Sequence, residues 1–504
     1  MFAFAKIHAL SVRWPAALRR LPAHPLLGKT SQTIFCVALL SLVPYVLPGM
    51  ERWRLLPIDP PHTASPAQVA QTTTPVATQP DKQVATQTSR AGAAKPVAPA
   101  KPQSAQAPAA APAAQGEIED SSGRALQAFF TALAKSETGQ TITRVAHYGD
   151  SPITGDSITS TIRQKLQARF GDAGHGFVLT ARPWGWYNHI GVRHNATGAW
   201  HNAPLWLGKS DHLFGYGAVS FTARDNGATA MFGPAEEGTA GRNVTAYDIY
   251  YLQQPGGGDF TIEFAGAERE RVSTKADVVD SGFHRVTAAP DAGPMTLRPA
   301  GNGEVRMFGV VLESGAGGVQ YDSLGNNGAF IGLLADYMDE QHWAQQLRHR
   351  RPDLVILNYG TNESQFDNWP MDKYERDTRE VVRRLRAALP EASVLFIGPM
   401  DRGVRGPGGS IITRPTIPGI VAAQRRLAAE TGCAFFDAFT AMGGAGTVAR
   451  WREARPALMS GDLTHPAAAG SETVGALIHD ALIRAYEKHK RPTAPQPAVN
   501  AAAN

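Results

Sequence analysis

The sequence predicts an α/β protein built on a parallel sheet and interrupted by an all-β insertion. Three observations lead there. Strand–helix alternation opens and closes the folded part, and the middle third carries short alternating strands separated by Gly, Asp, Asn and Pro turns. An Ala/Pro-rich stretch that could not build a core precedes both.

Of the 504 residues, 43% are hydrophobic, enough for one large domain with a smaller one, or for two or three ordinary ones. Near the start, the run 33–48, TIFCVALLSLVPYVLP, carries no charge. It is close to the roughly 17 residues at the lower limit for a membrane-spanning helix. Lys6, Arg13, Arg19, Arg20 and Lys29 precede it, so the N-terminus is expected in the cytoplasm and the rest outside it. No A-x-A site follows, so residues 1–50 are read as an uncleaved transmembrane anchor, with a cleaved signal as the alternative. Residues 51–116 are read as a disordered linker. From 57 to 114 Ala, Pro, Gln and Thr dominate and no Phe, Tyr or Trp occurs, so too little apolar surface exists to offset the entropy of ordering. Such a segment serves as a tether.

Order is expected from Gly116. Leu126, Phe129, Phe130 and Leu133 predict a helix over 123–134; a strand over 143–148 follows, then Gly149, Asp150 and Ser151. The helix over 157–170 shows Ile158, Ile162, Leu166 and Phe170 on one face. These elements make 117–195 the first part of the α/β domain. The insertion, a β-sandwich or jelly roll, is placed at 196–313 on strands over 246–252, 260–264 and 305–312. The α/β pattern resumes over 314–490. Helices are predicted at 333–350, 371–388, 417–431 and 466–486, and strands at 354–358, 394–397 and 434–436. Repeating βα units imply a parallel sheet with helices on both faces. Residues 491–504 are read as a disordered tail.

Composition narrows the function classes. The net charge is only +5, and no Lys/Arg-rich stripe carries interleaved aromatics, so nucleic acid is not an expected partner. The two cysteines, Cys36 and Cys433, are far apart and provide neither a disulfide framework nor a structural zinc site. With no H-E-x-x-H, complete P-loop or G-x-G-x-x-G, no metal and no cofactor is expected.

Four segments carry chemistry. Ser151 follows a strand and precedes a helix, at the sheet edge where open α/β folds place their ligands, and its N–H lies near a helix N-terminus. The competing reading makes Asp150, Ser151 and Asp156 helix caps. Asn362, in N-Y-G-T-N-E after the strand at 354–358, offers an amide to a developing oxyanion, or simply belongs to a turn. In G-D-L-T-H-P, Asp462 and His465 stand three apart, close enough to meet on a turn, although a helix cap and a surface histidine would look the same. Gly325-Asn326-Asn327-Gly328 offers a backbone N–H, or is an ordinary loop. The absence of G-x-S-x-G argues against the ordinary α/β-hydrolase class.

In this order the four segments resemble the SGNH/GDSL hydrolases, over about 117–196 and 314–488. The resemblance implies a flavodoxin-like three-layer sandwich and a serine esterase. It makes Ser151 the nucleophile, His465 the base and Asp462 its orienting carboxylate. Ser151, Gly328 and Asn362 become the oxyanion donors, with Gly325 competing for the role of Gly328. The β-rich stretch between Ser151 and Gly328, and the GTNE at Gly360 to Glu363, resemble the peptidoglycan O-acetylesterases that carry a carbohydrate-binding-like β module. That implies an O-acetylated glycan substrate and a periplasmic catalytic domain tethered to a bacterial inner membrane. The alternatives are a polysaccharide O-acetyltransferase using the same triad and a non-catalytic glycan-binding protein. One departure is Pro152, where such enzymes often have His.

Other residues receive blander expectations. Trp184, Trp186 and Tyr187 are read as buried aromatics, with sugar stacking as the alternative. His147 is read as a core histidine, His175 as a loop residue, Glu363 as a structural hydrogen bonder, and Arg383, Arg384 and Arg386 as a solvated face.

Overall fold

The computed structural model describes residues 116–491, apart from 199, 208–210, 238–240 and 290–291. The expected membrane span, linker and tail lie outside the described residues, among which no helix is long and apolar enough to cross a membrane.

Six strands form the central sheet, in the order Ile118–Glu119, Ala434–Phe436, Ser393–Ile397, Leu354–Asn358, Ile142–Gly149, Gly318–Gly325. Five are parallel; the edge strand Ile118–Glu119 runs antiparallel, a correction to the all-parallel expectation. Leaving that edge strand aside, the chain order across the sheet is 2-1-3-4-5, the flavodoxin-like winding. Both faces are covered because side chains alternate along each strand. Leu354 and Ile356 pack under Gln127–Glu137, Ser157–Phe170 and Ala468–Lys490. Val355 and Leu357 pack under Glu340–Arg350, Met371–Ala388 and Ile417–Glu430.

Four further boundaries differ from expectation. The helix expected over 333–350 is two, Gly332–Tyr337 and Glu340–Arg350, because Met338 turns extended and Asp339 caps the second by accepting from the His342 N–H. The parallel strand Gly318–Gly325 escaped the sequence pattern because it buries Asp322, whose carboxylate is held bidentately by Arg350 at 2.8 Å. The first helix starts later, at Gln127. A short hairpin, Gly403–Arg405 with Ile411–Thr413, was not anticipated.

The insertion is a two-layer β-sandwich. One sheet has five strands; the other is built around Ala246–Gln253 and Val305–Glu313. Strand Gly176–Leu179 pairs with Val305–Glu313, so the sandwich recruits chain from Gly176 rather than from 196. The near-continuous apolar run at 246–252 has a simple cause. Tyr247, Ile249 and Tyr251 fill the sandwich, while Tyr250 and Leu252 point the other way, into the core shared with the α/β domain. That shared core also holds Phe177, Tyr216 and Phe308 together with Tyr148 and Trp343. Polar ties accompany it. The Tyr148 hydroxyl donates to the Tyr216 carbonyl at 2.9 Å and accepts from the Trp343 indole at 3.1 Å, and the Phe177 N–H donates to Asp322 at 2.8 Å.

Candidate active site

In an open α/β sheet the ligand crevice opens at the carboxyl ends of the strands, where the strand order reverses. Here that point lies between Ile142–Gly149 and Leu354–Asn358, which are neighbours in the sheet but distant in sequence. Ser151 leaves the first strand and Asn362 the second.

Ser151 opens a 3₁₀ turn, Ser151–Ile153. As the first residue of that turn its N–H has no acceptor within it, and Pro152 fits where a helical N–H is not required. Asp150 does not cap this turn with its side chain. Its carboxylate is buried and accepts the Thr361 N–H at 3.1 Å, tying the two strand ends together. Burial pushes its pKa up to about 7 against the lowering effect of that hydrogen bond. Asp156 likewise does not cap the following helix. It pairs with buried Arg163 at 2.7 and 3.0 Å and accepts the Ile190 N–H at 2.7 Å.

The D-x-x-H turn comes to meet the serine. Ser151 Oγ lies 2.7 Å from His465 Nε2, and His465 Nδ1 lies 2.7 Å from Asp462 Oδ2. Leu463, at φ 60°, takes the left-handed conformation that folds residue 465 back over residue 462. A non-glycine pays for that geometry, here offset by burial of the leucine side chain and by its carbonyl accepting the Gly403 N–H at 2.7 Å. Burial alone would raise the Asp462 carboxyl. The N–H groups of His465 and Thr464, the imidazole and the Ser460 hydroxyl outweigh it and hold the carboxyl well below the usual range. Ser460 was missed in the sequence, since a lone serine two residues before an aspartate gives no signal.

The remaining predicted donors sit on adjacent loops. Asn362 gives one amide hydrogen to the Ala329 carbonyl at 2.9 Å, leaving its second for another acceptor. Gly328 is exposed with φ 73°. Gly325 ends a buried strand, and a Cβ there would meet the Thr154 nitrogen at 2.5 Å. Its role is close packing under the Ser151 turn. Glu363 is buried; one carboxyl oxygen accepts the Ile331 N–H at 2.9 Å, so the loop after Asn362 holds the loop after Gly328. Burial, with the nearby Asp150 charge assisting, pushes its pKa up to about 8.

The other singled-out residues lie apart from this chain. His147 is buried between the Tyr321 hydroxyl and Asn358, with burial lowering its pKa to about 3. His175 lies in a loop, as expected, and is buried there against the Gly241 carbonyl at 2.8 Å. Trp184 and Tyr187 belong to the core, whereas Trp186 is 59% exposed. Arg383, Arg384 and Arg386 pair with Glu380, Glu340 or backbone carbonyls on the outer helix face.

Residues 290–473 match the GDSL-like lipase/acylhydrolase family, a stretch that includes Gly328, Asn362, Asp462 and His465. Among solved structures, a peptidoglycan O-acetylesterase is similar at 22% identity and a TM-score of 0.62, over 74% of this chain and 99% of that one. An acetyl xylan esterase aligns at 19% identity and a TM-score of 0.26, over 32% of this chain and 80% of its own. A family two carbohydrate esterase from Clostridium thermocellum aligns at 11% identity and a TM-score of 0.24, over 53% and 94%. No curated protein sequence matches the chain. Over residues 290–473 the chain is similar to the GDSL-like lipase/acylhydrolases, which makes it an esterase, and its fold, with the flavodoxin-like winding, resembles that of a peptidoglycan O-acetylesterase.

Proposed function

We propose that this esterase removes O-acetyl groups from a cell-envelope polysaccharide, peptidoglycan, through a Ser-His-Asp acyl-enzyme mechanism. The observation that carries the mechanism is the unbroken hydrogen-bonded chain from Ser151 Oγ through His465 to Asp462, at 2.7 Å for each link. A serine hydroxyl is a weak nucleophile until a base takes its proton. Here Nε2 accepts the proton as Oγ attacks the acetyl carbonyl, and Asp462, held ionised, stabilises the imidazolium. The tetrahedral oxyanion is bound by the N–H groups of Ser151 and Gly328 and by the Asn362 amide. Collapse breaks the ester C–O bond, and the imidazolium proton goes to the departing sugar oxygen. Water then attacks the acetyl-serine by the same path, releasing acetate and restoring Ser151. The peptidoglycan assignment is supported by the inserted β-sandwich and by the fold shared with a peptidoglycan O-acetylesterase. The uncharged run at 33–48 behind a basic segment supports a membrane anchor with the site on the periplasmic side.

The test is acetate release from O-acetylated peptidoglycan by the full chain in detergent. Ser151→Ala is expected to lower kcat by about 10³-fold or more. Undiminished release by that variant would reject Ser151 as nucleophile. Acetylated glycan appearing when an acetyl donor and unmodified glycan are supplied would reassign the reaction to transfer.

A further inference from the structure

We infer that Phe330, Phe366 and Trp369 form a sugar-stacking subsite beside the proposed oxyanion position, taking a pyranose ring of the glycan next to the acetylated residue. The inference rests on the glycan reading above for its ligand and on the following geometry for its location. Phe330 follows Gly328 by two residues and Phe366 follows Asn362 by four. The two loops that leave the proposed oxyanion donors therefore each deliver an aromatic ring, and the rings meet. Phe330 and Trp369 stack with centroids 4.8 Å apart and planes 17° apart; Phe366 and Trp369 stack at 5.4 Å and 30°. Phe330 and Phe366 lie 6.2 Å and 41° apart, so the three rings form one compact cluster that is partly exposed at Phe366.

A purely structural role would bury these rings. Trp369 packs on the core, but Phe330 and Phe366 belong to no hydrophobic cluster, and Phe366 is 43% exposed. The cluster is nevertheless fixed. Arg414 donates to the Ser364 carbonyl at 2.9 Å, to the Gln365 carbonyl and to Asp367 at 2.9 Å, and the Thr416 hydroxyl donates to the Ser364 carbonyl at 2.6 Å. At the other end, Asn362 and Glu363 hold the Phe330 loop through Ala329 and Ile331. The loop is also tied to the nucleophile, since Thr361 donates to Asp150, the neighbour of Ser151. Exposed aromatic faces carry negative charge density, and the axial C–H groups of a pyranose carry the complementary positive one. Rigid rings lose little conformational entropy when they bind, which makes a clamped cluster a better platform than a mobile one.

The experiment separates this subsite from the chemistry. The full chain carrying Ser151→Ala, in detergent, is titrated calorimetrically with a β-1,4-linked N-acetylglucosamine tetramer. Adding Phe366→Ala is expected to weaken binding about tenfold, and Phe366→Tyr to restore it. In the active chain, Phe366→Ala is expected to lower the ratio of kcat/KM for O-acetylated glycan to that for 4-nitrophenyl acetate about tenfold, through KM for the glycan. No binding by the parent chain, unchanged affinity in Phe366→Ala, or loss in proportion on both substrates would overturn the subsite. Failure of acetate release, with Phe366-dependent tetramer binding intact, would instead reject the esterase reading and leave the subsite standing.

Discussion

Ser460 illustrates how closely the proposed triad depends on small neighbours. Its hydroxyl lies 2.6 Å from Asp462 Oδ1 and 2.6 Å from the His465 carbonyl, and its own N–H is also given to that carbonyl. Ser460→Ala removes one of the donors that keep Asp462 ionised and loosens the turn. It is expected to lower kcat about tenfold with KM little changed, well short of the about 10²–10³-fold loss expected for Asn362→Ala, which removes an oxyanion donor outright. Steady-state kinetics on an acetyl ester compares the two. A larger effect from Ser460 than from Asn362 would make turn geometry, and not oxyanion binding, the dominant contribution.

Two elements at the crevice are held by buried ionisable groups. The helix Ser157–Phe170 is fastened by Arg163 to Asp156, with both side chains almost wholly enclosed. Arg163→Met would leave an unpaired buried carboxylate and is expected to cost about 3–5 kcal/mol in urea unfolding. The loop after Asn362 is held by Glu363, whose pKa rises from 4.5 in the ordinary carboxyl to about 8 in the folded protein. Between those values the folded state keeps a proton that the unfolded chain has released, so stability falls as pH rises from 4.5 toward 8. Asp150 acts in the same direction from 3.8 to about 7. Glu363→Gln removes the Glu363 share, so the melting temperature of the variant should decline less steeply than wild type between pH 5 and 8. Parallel curves would mean that Glu363 is not protonated in the folded state.

At the scale of the whole described molecule, the β-sandwich is not a separable attachment. Phe177, Tyr216 and Tyr250 from the sandwich share one apolar core with Tyr148, Leu357 and Trp343 from the α/β domain. The Asn326 amide, beside the Gly325 strand end, donates to the Gly217 carbonyl of the sandwich at 2.9 Å. Burying each such side chain contributes about 1.5–3 kcal/mol, so neither part keeps its stability alone. Calorimetry is expected to record one cooperative unfolding transition for the folded region, and two well-separated transitions would contradict the shared core.

What the sequence by itself determined is local. Ser151, Asn362, Asp462 and His465 were legible as candidates because each sits in a short glycine-bearing or turn-forming segment, two of them just after a strand and two on the turn before the last helix. The helices at 157–170 and 371–388 were legible because their apolar residues repeat with the helical period. Tertiary structure decided whatever needed a partner from elsewhere in the chain. Strand Gly318–Gly325 was hidden because Asp322 is buried only by virtue of Arg350. Gly176–Leu179 was assigned to the wrong domain because four residues cannot state which sheet will pair with them. The aromatic cluster exists only where two loops converge. Periodicity and turn preference are written in neighbouring residues, whereas pairing, burial and the pKa values that follow from burial are properties of surfaces that only folding brings together.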